Sequence, residues 1–355
     1  MGLFSKTENV LGVDIGTTSI KAVEIQHASS QKPSLQNYGD LHTYGYLERF
    51  NNALQTSSLR LSEQETANYL KLLLNKAGIT TKRAVASLPP FSTFSTLLEI
   101  PMMTETETAQ AIEYQARQYV PLPLAEVLLD WHVVGKRTDE GGNENQQILL
   151  NSVAKEHIQR YQKIFSLAGL ELVAIENEGT ALARVFTQNE PKPVLIIDIG
   201  SRSTGFFAAQ AGTLKLVSQT DFSGGSITQS IANSLNIPTT RAEEMKKRQA
   251  IGAKDQNSEL STLIETILDV IMNDVRRVKD NFEASYREKV LKIILTGGGA
   301  NLAGIEEYVS RQLGLPTVKG NPFAALNFPQ KLEPVIKDLG SHIAAAIGLG
   351  LRATE

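Results

Sequence analysis

Two short segments of the chain combine the residue types that bind phosphate groups and a divalent cation. Asp14-Ile15-Gly16-Thr17-Thr18 follows the apolar residues 10–13, and Asp198-Ile199-Gly200-Ser201 follows the apolar residues 194–197. Glycine lets a turn approach a phosphate closely, and hydroxyl groups add hydrogen-bond donors. A carboxylate at the end of a strand can hold Mg²⁺, most simply through bound waters. Because the pattern occurs twice in matching contexts, we predict paired phosphate clamps rather than two structural hairpins.

A third glycine turn and residues near the first two complete the predicted nucleotide site. Gly297-Gly298-Gly299 follows a predicted strand, where bare backbone could face a base or a ribose. Lys21 lies on the strand after the first turn, and its ammonium group either reaches a phosphate or points into solvent. We predict ATP as the cofactor and Mg²⁺ as the metal, with Asp14 and Asp198 as the metal ligands. The predicted cofactor-binding residues are Asp14, Gly16, Thr17, Thr18, Lys21, Asp198, Gly200, Ser201, Ser203, Thr204, Gly297, Gly298, Gly299 and Asn301.

Composition and missing motifs exclude several other kinds of protein. The 355 residues carry a formal net charge of −3, so no basic surface is expected to gather nucleic acid. There is no cysteine, and the five histidines are scattered without His-Glu-x-x-His spacing. The Gly-x-Gly-x-x-Gly, Gly-x₄-Gly-Lys-Ser/Thr and Gly-x-Ser-x-Gly motifs are missing too. No apolar run reaches about 18 residues, so we expect no membrane-spanning helix and a cytoplasmic protein.

The elements around these turns indicate two similar halves. The strand, turn and strand of residues 10–26 recur at residues 194–210, which is typical of a duplicated architecture. Residues 189–193 form the predicted linker between a first half, 1–190, and a second half, 191–355. Residues 84–155 form a predicted β-rich unit with one helix, inserted in the first half.

Local signals also predict where helices begin and end. Capping boxes start helices at Ser62 and Thr104, and glycines end helices at Gly78 and Gly169. Apolar residues with a period of 3.6 predict a long helix over residues 260–278. Two further helices are predicted over 176–186 and 343–351, and the second, rich in alanine and glycine, is expected to pack closely on another backbone.

The order of these motifs resembles the actin/Hsp70/sugar-kinase superfamily from end to end. In that superfamily, the two aspartate turns correspond to the phosphate-binding segments, and the turn at 297–299 corresponds to the adenosine segment. The helices carrying Glu178 and residues 343–351 correspond to the connecting segments. The resemblance implies an α/β actin-like ATPase fold, in which two ribonuclease-H-like halves enclose a nucleotide cleft.

Within the superfamily, the chain resembles the PilM family, the actin-like proteins of type IV pilus assembly, which are relatives of FtsA. Residues 98–103 and 116–123 are similar to the family's run before the predicted strands of its 1C-type subdomain. The resemblance implies subdomains 1A, 1C (about 84–155), 2A and 2B (about 230–289). Residues 222–228 and 242–246 are also similar, which adds Gly224, Gly225, Glu243 and Lys246 to the nucleotide site. Glu243 and Lys246 could equally lie on a solvated face of a charged helix.

The resemblance implies a binding module more than an enzyme. Members of the family capture the N-terminal cytoplasmic peptide of the inner-membrane protein PilN, in a complex that then joins PilO and PilP. We therefore expect a PilN-like partner, with membrane attachment only through that partner. Glu178 is the catalytic candidate that would position a water. It is followed by Gly179 where the superfamily usually has proline, so slow ATP hydrolysis at most is expected.

Two other functions remain open from the sequence. The chain could be a small-molecule kinase of the same superfamily, although Asp221 is the one further aspartate that could serve as a base. It could also form filaments, as actin relatives do, and a homo-oligomer is therefore open as well.

Overall fold

The computed structural model describes residues 7–28, 31–43, 61–139, 141–249, 251 and 258–352. The strands in these residues are β1 (Glu8–Ile15), β2 (Ser19–His27), β3 (Ser34–His42), β4 (Arg83–Leu88), β5 (Thr93–Pro101), β6 (Val127–Thr138), β7 (Glu144–Ala154), β8 (Glu171–Asn177), β9 (Val194–Ile199), β10 (Thr204–Gln210), β11 (Thr213–Thr220), β12 (Lys292–Thr296) and β13 (Thr317–Lys319). The helices are α1 (Glu63–Ala77), α2 (Glu105–Tyr119), α3 (Lys155–Ala168), α4 (Glu178–Thr187), α5 (Gly224–Leu235), α6 (Thr239–Arg248), α7 (Ser258–Tyr286), α8 (Ile305–Leu313) and α9 (Glu333–Gly350).

Two five-stranded sheets have the same topology. The first has the order β3-β2-β1-β4-β8, and the second has the order β11-β10-β9-β12-β13. In each sheet three consecutive strands are antiparallel, and two later strands run parallel to the first of them. The duplicated architecture predicted from the sequence is therefore confirmed. The division into halves at residue 190 and the subdomain bounds stay predictions.

Four strands were not predicted, and they are the four edge strands of these sheets: β3, β8, β11 and β13. The six strands inside the sheets were all predicted because both of their faces are buried, which gives continuous apolar runs. β3, for example, buries only Leu35 completely. An edge strand with this little burial has no apolar pattern that distinguishes it from a loop.

A smaller sheet, β5-β7-β6, follows β4 and packs against α2. Its antiparallel strands pair over nearly their whole length, and Ile148 and Leu150 of β7 are fully buried beneath Ile112 and Ala116 of α2. We call β5, β6, β7 and α2 the small subdomain. Its equivalence to a 1C subdomain stays a prediction.

The predicted helix signals are present in the structure. Ser62 and Thr104 both form capping boxes with the glutamate three residues later, Glu65 and Glu107. Gly78 and Gly169 end α1 and α3 with left-handed backbones, at φ 67° and 75°. The long helix α7 is also confirmed and extends to Tyr286, beyond the predicted residue 278. No helix among the residues described above is long and apolar enough to cross a membrane.

The helix predicted to start at residue 176 starts instead at Glu178. Glu176 and Asn177 are the last residues of β8, and the Asn177 side chain accepts a hydrogen bond from the Gly179 amide at 2.8 Å. Asn177 thereby caps α4, which is the role asparagine commonly has before a helix. Glu178 is therefore the first residue of the helix and lies at its N-terminal end.

The C-terminal helix α9 packs backbone to backbone against two other elements, as predicted. A Cβ atom at Gly12 of β1 would overlap the Ala346 carbonyl oxygen, and one at Gly348 would overlap the Ala181 carbonyl oxygen of α4. The helix begins at Glu333, ten residues before its predicted start at 343. The glycines bring α9 into direct contact with the first sheet and with α4.

Candidate nucleotide-binding site

The two predicted phosphate turns have the same backbone geometry. The Gly16 amide donates to the Ser19 carbonyl at 3.0 Å, and the Gly200 amide donates to the Ser203 carbonyl at 3.0 Å. Asp14 and Asp198 are each the second-last residue of their strand, β1 and β9. Equivalent strands of the two sheets therefore bring a carboxylate and a glycine turn to equivalent positions.

The third glycine turn packs directly on the second. Thr296 of β12 pairs with Asp198 of β9, and Gly297 follows with φ 79°. A Cβ atom at Gly297 would overlap the Asp198 carboxylate, and one at Gly299 would overlap the Ile199 side chain. These glycines are required because the backbone of β9 passes so close to them.

One cavity of about 740 Å³ joins the three turns. All of the residues predicted to bind the cofactor line it except Thr204, and the catalytic candidate Glu178 lines it as well. The Thr204 hydroxyl instead donates to the Phe222 carbonyl at 2.8 Å, and its side chain is fully buried. The structure thus brings predicted site residues together from distant parts of the chain, and the farthest two, Asp14 and Asn301, are 287 positions apart.

Lys21 does not point into solvent, so this alternative is wrong. Its Nζ lies 3.0 Å from Asp14 Oδ2, and its residue is 9% exposed. Burial would lower the pKa of Lys21, but the charge and hydrogen bond of Asp14 raise it above its usual value. The Asp14 carboxylate also accepts from the Ser87 hydroxyl at 3.3 Å. Lys21 thus enters the cleft as the counter-ion of Asp14.

Glu178 and Asp198 form a hydrogen-bonded carboxyl pair near Asp14. Burial, followed by the nearby charges of Asp198 and Asp14, raises the pKa of Glu178 well above its usual value. Burial also raises the pKa of Asp198, to about 6. The two carboxyl groups therefore interact directly, and both have raised pKa values. The cleft therefore concentrates three carboxyl groups around a single lysine.

Glu243 and Lys246 lie inside the cleft, so the alternative of a solvated helix face is wrong. Lys246 Nζ contacts Glu243 Oε2 at 2.6 Å and donates to the Gly224 carbonyl at 2.9 Å and the Thr228 hydroxyl at 2.8 Å. Burial lowers the pKa of Lys246, against the raising effect of Glu243. The pair joins α6 to the beginning of α5 at the cleft wall.

Gly224 and Gly225 hold the second turn in place with their amides. The Gly224 amide donates to the Gly200 carbonyl at 2.9 Å, and the Gly225 amide donates to the Ser201 carbonyl at 3.0 Å. A Cβ atom at Gly225 would overlap that Ser201 carbonyl. Both glycines line the cavity, but their amides are used within the protein rather than directed at a ligand.

Several cleft residues were not predicted from the sequence. Asp40 and His42 lie at the end of β3, and His342 lies on α9, one residue before the predicted start of that helix. Arg202, in the second turn, stacks over the Phe91 ring at 4.3 Å from its centroid. No local motif marks these residues, because the contacts that place them in the cleft join distant parts of the chain.

The glycine after Glu178 has a packing explanation. A Cβ atom at Gly179 would overlap the ring of Phe207 on β10. A proline at this position would also remove the amide that donates to Asn177. The departure from the superfamily's Glu-Pro pair is therefore linked to Phe207, a residue of the opposite sheet.

A comparison with known sequences identifies the family. A model of the family described as "Type IV pilus assembly protein PilM" matches residues 12–354. The cell division protein FtsA of Neisseria meningitidis serogroup B is 24% identical over 194 residues. That match covers 46% of this chain and 45% of FtsA, so less than half of either protein is aligned.

Solved structures share the fold over nearly the whole chain. The PilM-PilN type IV pilus biogenesis complex matches with a TM-score of 0.80 and 23% identity, over 98% of this chain and 98% of that chain. The ethanolamine utilization protein EutJ from Carboxydothermus hydrogenoformans matches with a TM-score of 0.56 and 16% identity, over 99% and 91% of the two chains. MreB 5 of Spiroplasma citri, bound to AMPPNP, matches with a TM-score of 0.53 and 16% identity, over 97% and 95%.

These structures confirm the predicted α/β actin-like ATPase fold, with two related sheets facing a cleft. The family match covers all three glycine turns, the Glu178 helix and the C-terminal helix through residue 350. This chain belongs to the type IV pilus assembly protein PilM family.

Proposed function

We propose that the cleft binds ATP together with Mg²⁺. The observation that carries this proposal is the pair of matched turns, which bring Asp14 and Asp198 into one cavity with Glu178. Carboxylate oxygens are the donors that Mg²⁺ takes. Burial raises the pKa values of Glu178 and Asp198, and the charge of Asp14 adds to the rise in both. A divalent cation would offset the charge of these carboxylates, so the donor set fits the metal.

Different residues of the cleft would contact the phosphates and the nucleoside of the ATP. Thr17, Thr18 and Ser201 provide hydroxyl groups beside the phosphates, and the residues around Lys246 and Gly298 line the base and ribose side. Bound Mg²⁺ would offset the charge of the phosphates. Burial and the neighbouring carboxylates raise the pKa of Glu178, which reduces the fraction of the group in the base form that could activate water. We therefore expect tight retention of the nucleotide and slow hydrolysis.

Titration calorimetry of the nucleotide-free protein with ATP and Mg²⁺ tests this proposal. Asp14→Ala and Asp198→Ala should each weaken binding at least about tenfold, because each removes a charge from the metal site. Asp130→Ala is the matched control, since Asp130 lies on the small subdomain with 71% of its side chain exposed. Unchanged affinity in both cleft variants, with folding verified by circular dichroism, would refute the assignment.

We propose that the protein acts as an assembly adaptor for type IV pili, docking the N-terminal cytoplasmic peptide of a PilN-like inner-membrane protein. Membership of the PilM family supports this role, and the fold likeness to the PilM-PilN complex extends over 98% of both chains. Through that partner the protein would lie at the inner membrane and act indirectly with PilO and PilP. Family membership favours this adaptor over a small-molecule kinase or a filament-forming protein. Self-association into a homo-oligomer remains compatible with the adaptor.

The small subdomain exposes apolar side chains that such a peptide could contact. Tyr119 at the end of α2, Leu122 after it and Leu128 at the start of β6 are 48%, 44% and 46% exposed. More than half of the large apolar side chains that are exposed among the described residues belong to residues 84–155. Apolar side chains beside strand edges provide the pockets and main-chain groups with which extended peptides are bound.

Fluorescence polarisation with the labelled N-terminal peptide of the co-encoded partner tests the docking. Leu128→Arg should weaken peptide binding at least about tenfold, because it places a charge among the apolar contacts. Leu291→Arg is the control. Leu291 is also exposed, at 50%, but it lies outside the small subdomain, just before strand β12 of the second sheet. A folded wild-type protein that leaves the peptide's polarisation unchanged would count against the adaptor.

A further inference from the structure

Three residues at one side of the cleft form a cluster that neither the nucleotide nor the peptide proposal uses. Asp40 and His42 project from the same face of β3, two residues apart, and His342 reaches them from α9. All three line the cavity. The cluster joins the edge strand of the first sheet to the C-terminal helix, across 302 positions of sequence.

The possible ligand atoms of this cluster, two nitrogens and one oxygen, all lie within 4.8 Å of one another. His42 Nε2 lies 3.2 Å from Asp40 Oδ2, and His342 Nε2 lies 3.1 Å from the same oxygen. The two imidazole rings are stacked, with centroids 5.5 Å apart and planes 15° apart, so both rings present their Nε2 edges to Asp40. Ligand atoms at about 2.1 Å from a shared ion stand about 3.0 Å apart at an octahedral angle and about 3.4 Å apart at a tetrahedral angle. The two nitrogen–oxygen separations fall within this range.

The two oxygen atoms of the Asp40 carboxylate differ in their hydrogen-bond partners. Oδ2 contacts both histidines, whereas Oδ1 is buried and has no hydrogen-bond partner. A bound ion is one explanation for a buried acceptor that lacks a partner within the protein.

We infer that Asp40, His42 and His342 bind one divalent transition-metal ion of the Zn²⁺ class. Two imidazole nitrogens and a carboxylate are ligands for zinc, cobalt or iron, whereas Mg²⁺ prefers oxygen ligands alone. The site is therefore chemically distinct from the Asp14 and Asp198 site. Bound metal would tie β3 to α9 and would leave further coordination positions open toward the cavity.

Co²⁺ is a suitable probe because its visible absorption reports the ligands and their number. The test uses the full chain, freed of metal with a chelator and kept without nucleotide. Wild type should bind one equivalent of Co²⁺. His342→Gln and His42→Gln should each weaken that binding at least about tenfold, because loss of a metal ligand lowers metal affinity more than loss of an outer-shell contact. His132→Gln should bind like wild type.

His132 is a matched control because its Nε2 also lies 3.2 Å from a carboxylate, that of Asp130. That pair has no second histidine, so it tests whether a single His-Asp contact suffices for the binding. Wild type without a one-to-one Co²⁺ complex at large excess of the ion would overturn the inference. Equal affinities of His342→Gln and His132→Gln would overturn it as well.

A measurement on the wild-type chain keeps the inference testable even if a variant fails to fold. Addition of Zn²⁺ should shift the imidazole proton resonances of two of the five histidines, and a chelator should reverse the shifts. Shifts confined to the other three, assigned by His27→Gln, His132→Gln and His157→Gln, would place the ion elsewhere and refute the site. Since no nucleotide is present, this result is independent of ATP binding.

Discussion

The two aspartate turns occupy equivalent places in two related sheets, but their carboxylates have different partners in the protein. Asp14 pairs in register with Lys21 on β2, and the two side chains form an ion pair at 3.0 Å. Asp198 pairs in register with Gly205 on β10, which has no side chain. Within the described part of the chain, Asp198 makes no ion pair and instead shares a hydrogen bond with Glu178.

The packing of Phe207 explains the difference. A Cβ atom at Gly205 would lie 2.6 Å from the Phe207 ring, so no lysine can stand there as it does in the first half. The same ring excludes a side chain at Gly179. Asp14 thus has a lysine directly opposite it, while Asp198 faces a glycine and interacts with Glu178. Duplicated folds can therefore diverge in how equivalent carboxylates are partnered within the protein.

The largest expected effect comes from the first turn. Asp14→Asn should lower the free energy of unfolding of the nucleotide-free protein by about 3 kcal/mol at pH 7, because it leaves the buried Lys21 ammonium without its partner. Urea denaturation measures this loss. A double variant, Asp14→Asn with Lys21→Met, is the control and should recover much of it, since it removes both charges. An Asp14→Asn protein as stable as wild type would show that the ion pair of Asp14 and Lys21 does not stabilise the fold.

The equivalent change in the second turn should have the opposite sign. Asp198→Asn should raise the free energy of unfolding at pH 7 by about 1–2 kcal/mol, because it removes a carboxylate whose pKa is raised by burial to about 6. The same variant should lose affinity for ATP and Mg²⁺. Thermal melts with and without the nucleotide separate the two effects. Destabilisation of the nucleotide-free protein by Asp198→Asn would remove the contrast between the turns.

The pH dependence gives the smallest and most specific effect. Asp198 has a folded-state pKa of about 6 against an ordinary value of 3.8, so the folded protein binds the proton more tightly than the unfolded chain. Its contribution to stability is therefore greatest at low pH and falls as the pH rises from 3.8 to about 6. Denaturation midpoints across this range should show the fall in wild type and a shallower one in Asp198→Asn. Identical pH profiles would indicate an unperturbed carboxyl group.

Sequence patterns predicted the interior of both sheets because buried strands are apolar on both faces. The aspartate turns follow directly from such strands, so the site could be placed as soon as β1 and β9 were recognised. The edge strands lack this pattern, and β3 was missed for that reason. Asp40 and His42 were missed with it, although they line the same cavity as the predicted residues.

Side-chain pairing was the other part that the sequence could not provide. Lys21, Glu243 and Lys246 were each given two interpretations, since a charged residue in a strand or helix can face water or a partner. Which interpretation holds depends on whether elements from elsewhere in the chain bury the side chain. Thr204 was predicted as a phosphate donor from its place after the second turn, but its hydroxyl is used by Phe222, a contact 18 residues away.

The direct backbone contacts of α9 also limit how the chain can vary. Positions 12 and 348 leave room for a hydrogen atom alone. A methyl group at either glycine would push the helix away from the first sheet or from α4, and with it His342 and the floor of the cavity. We therefore expect low mutational tolerance at two glycines that do not line the cavity.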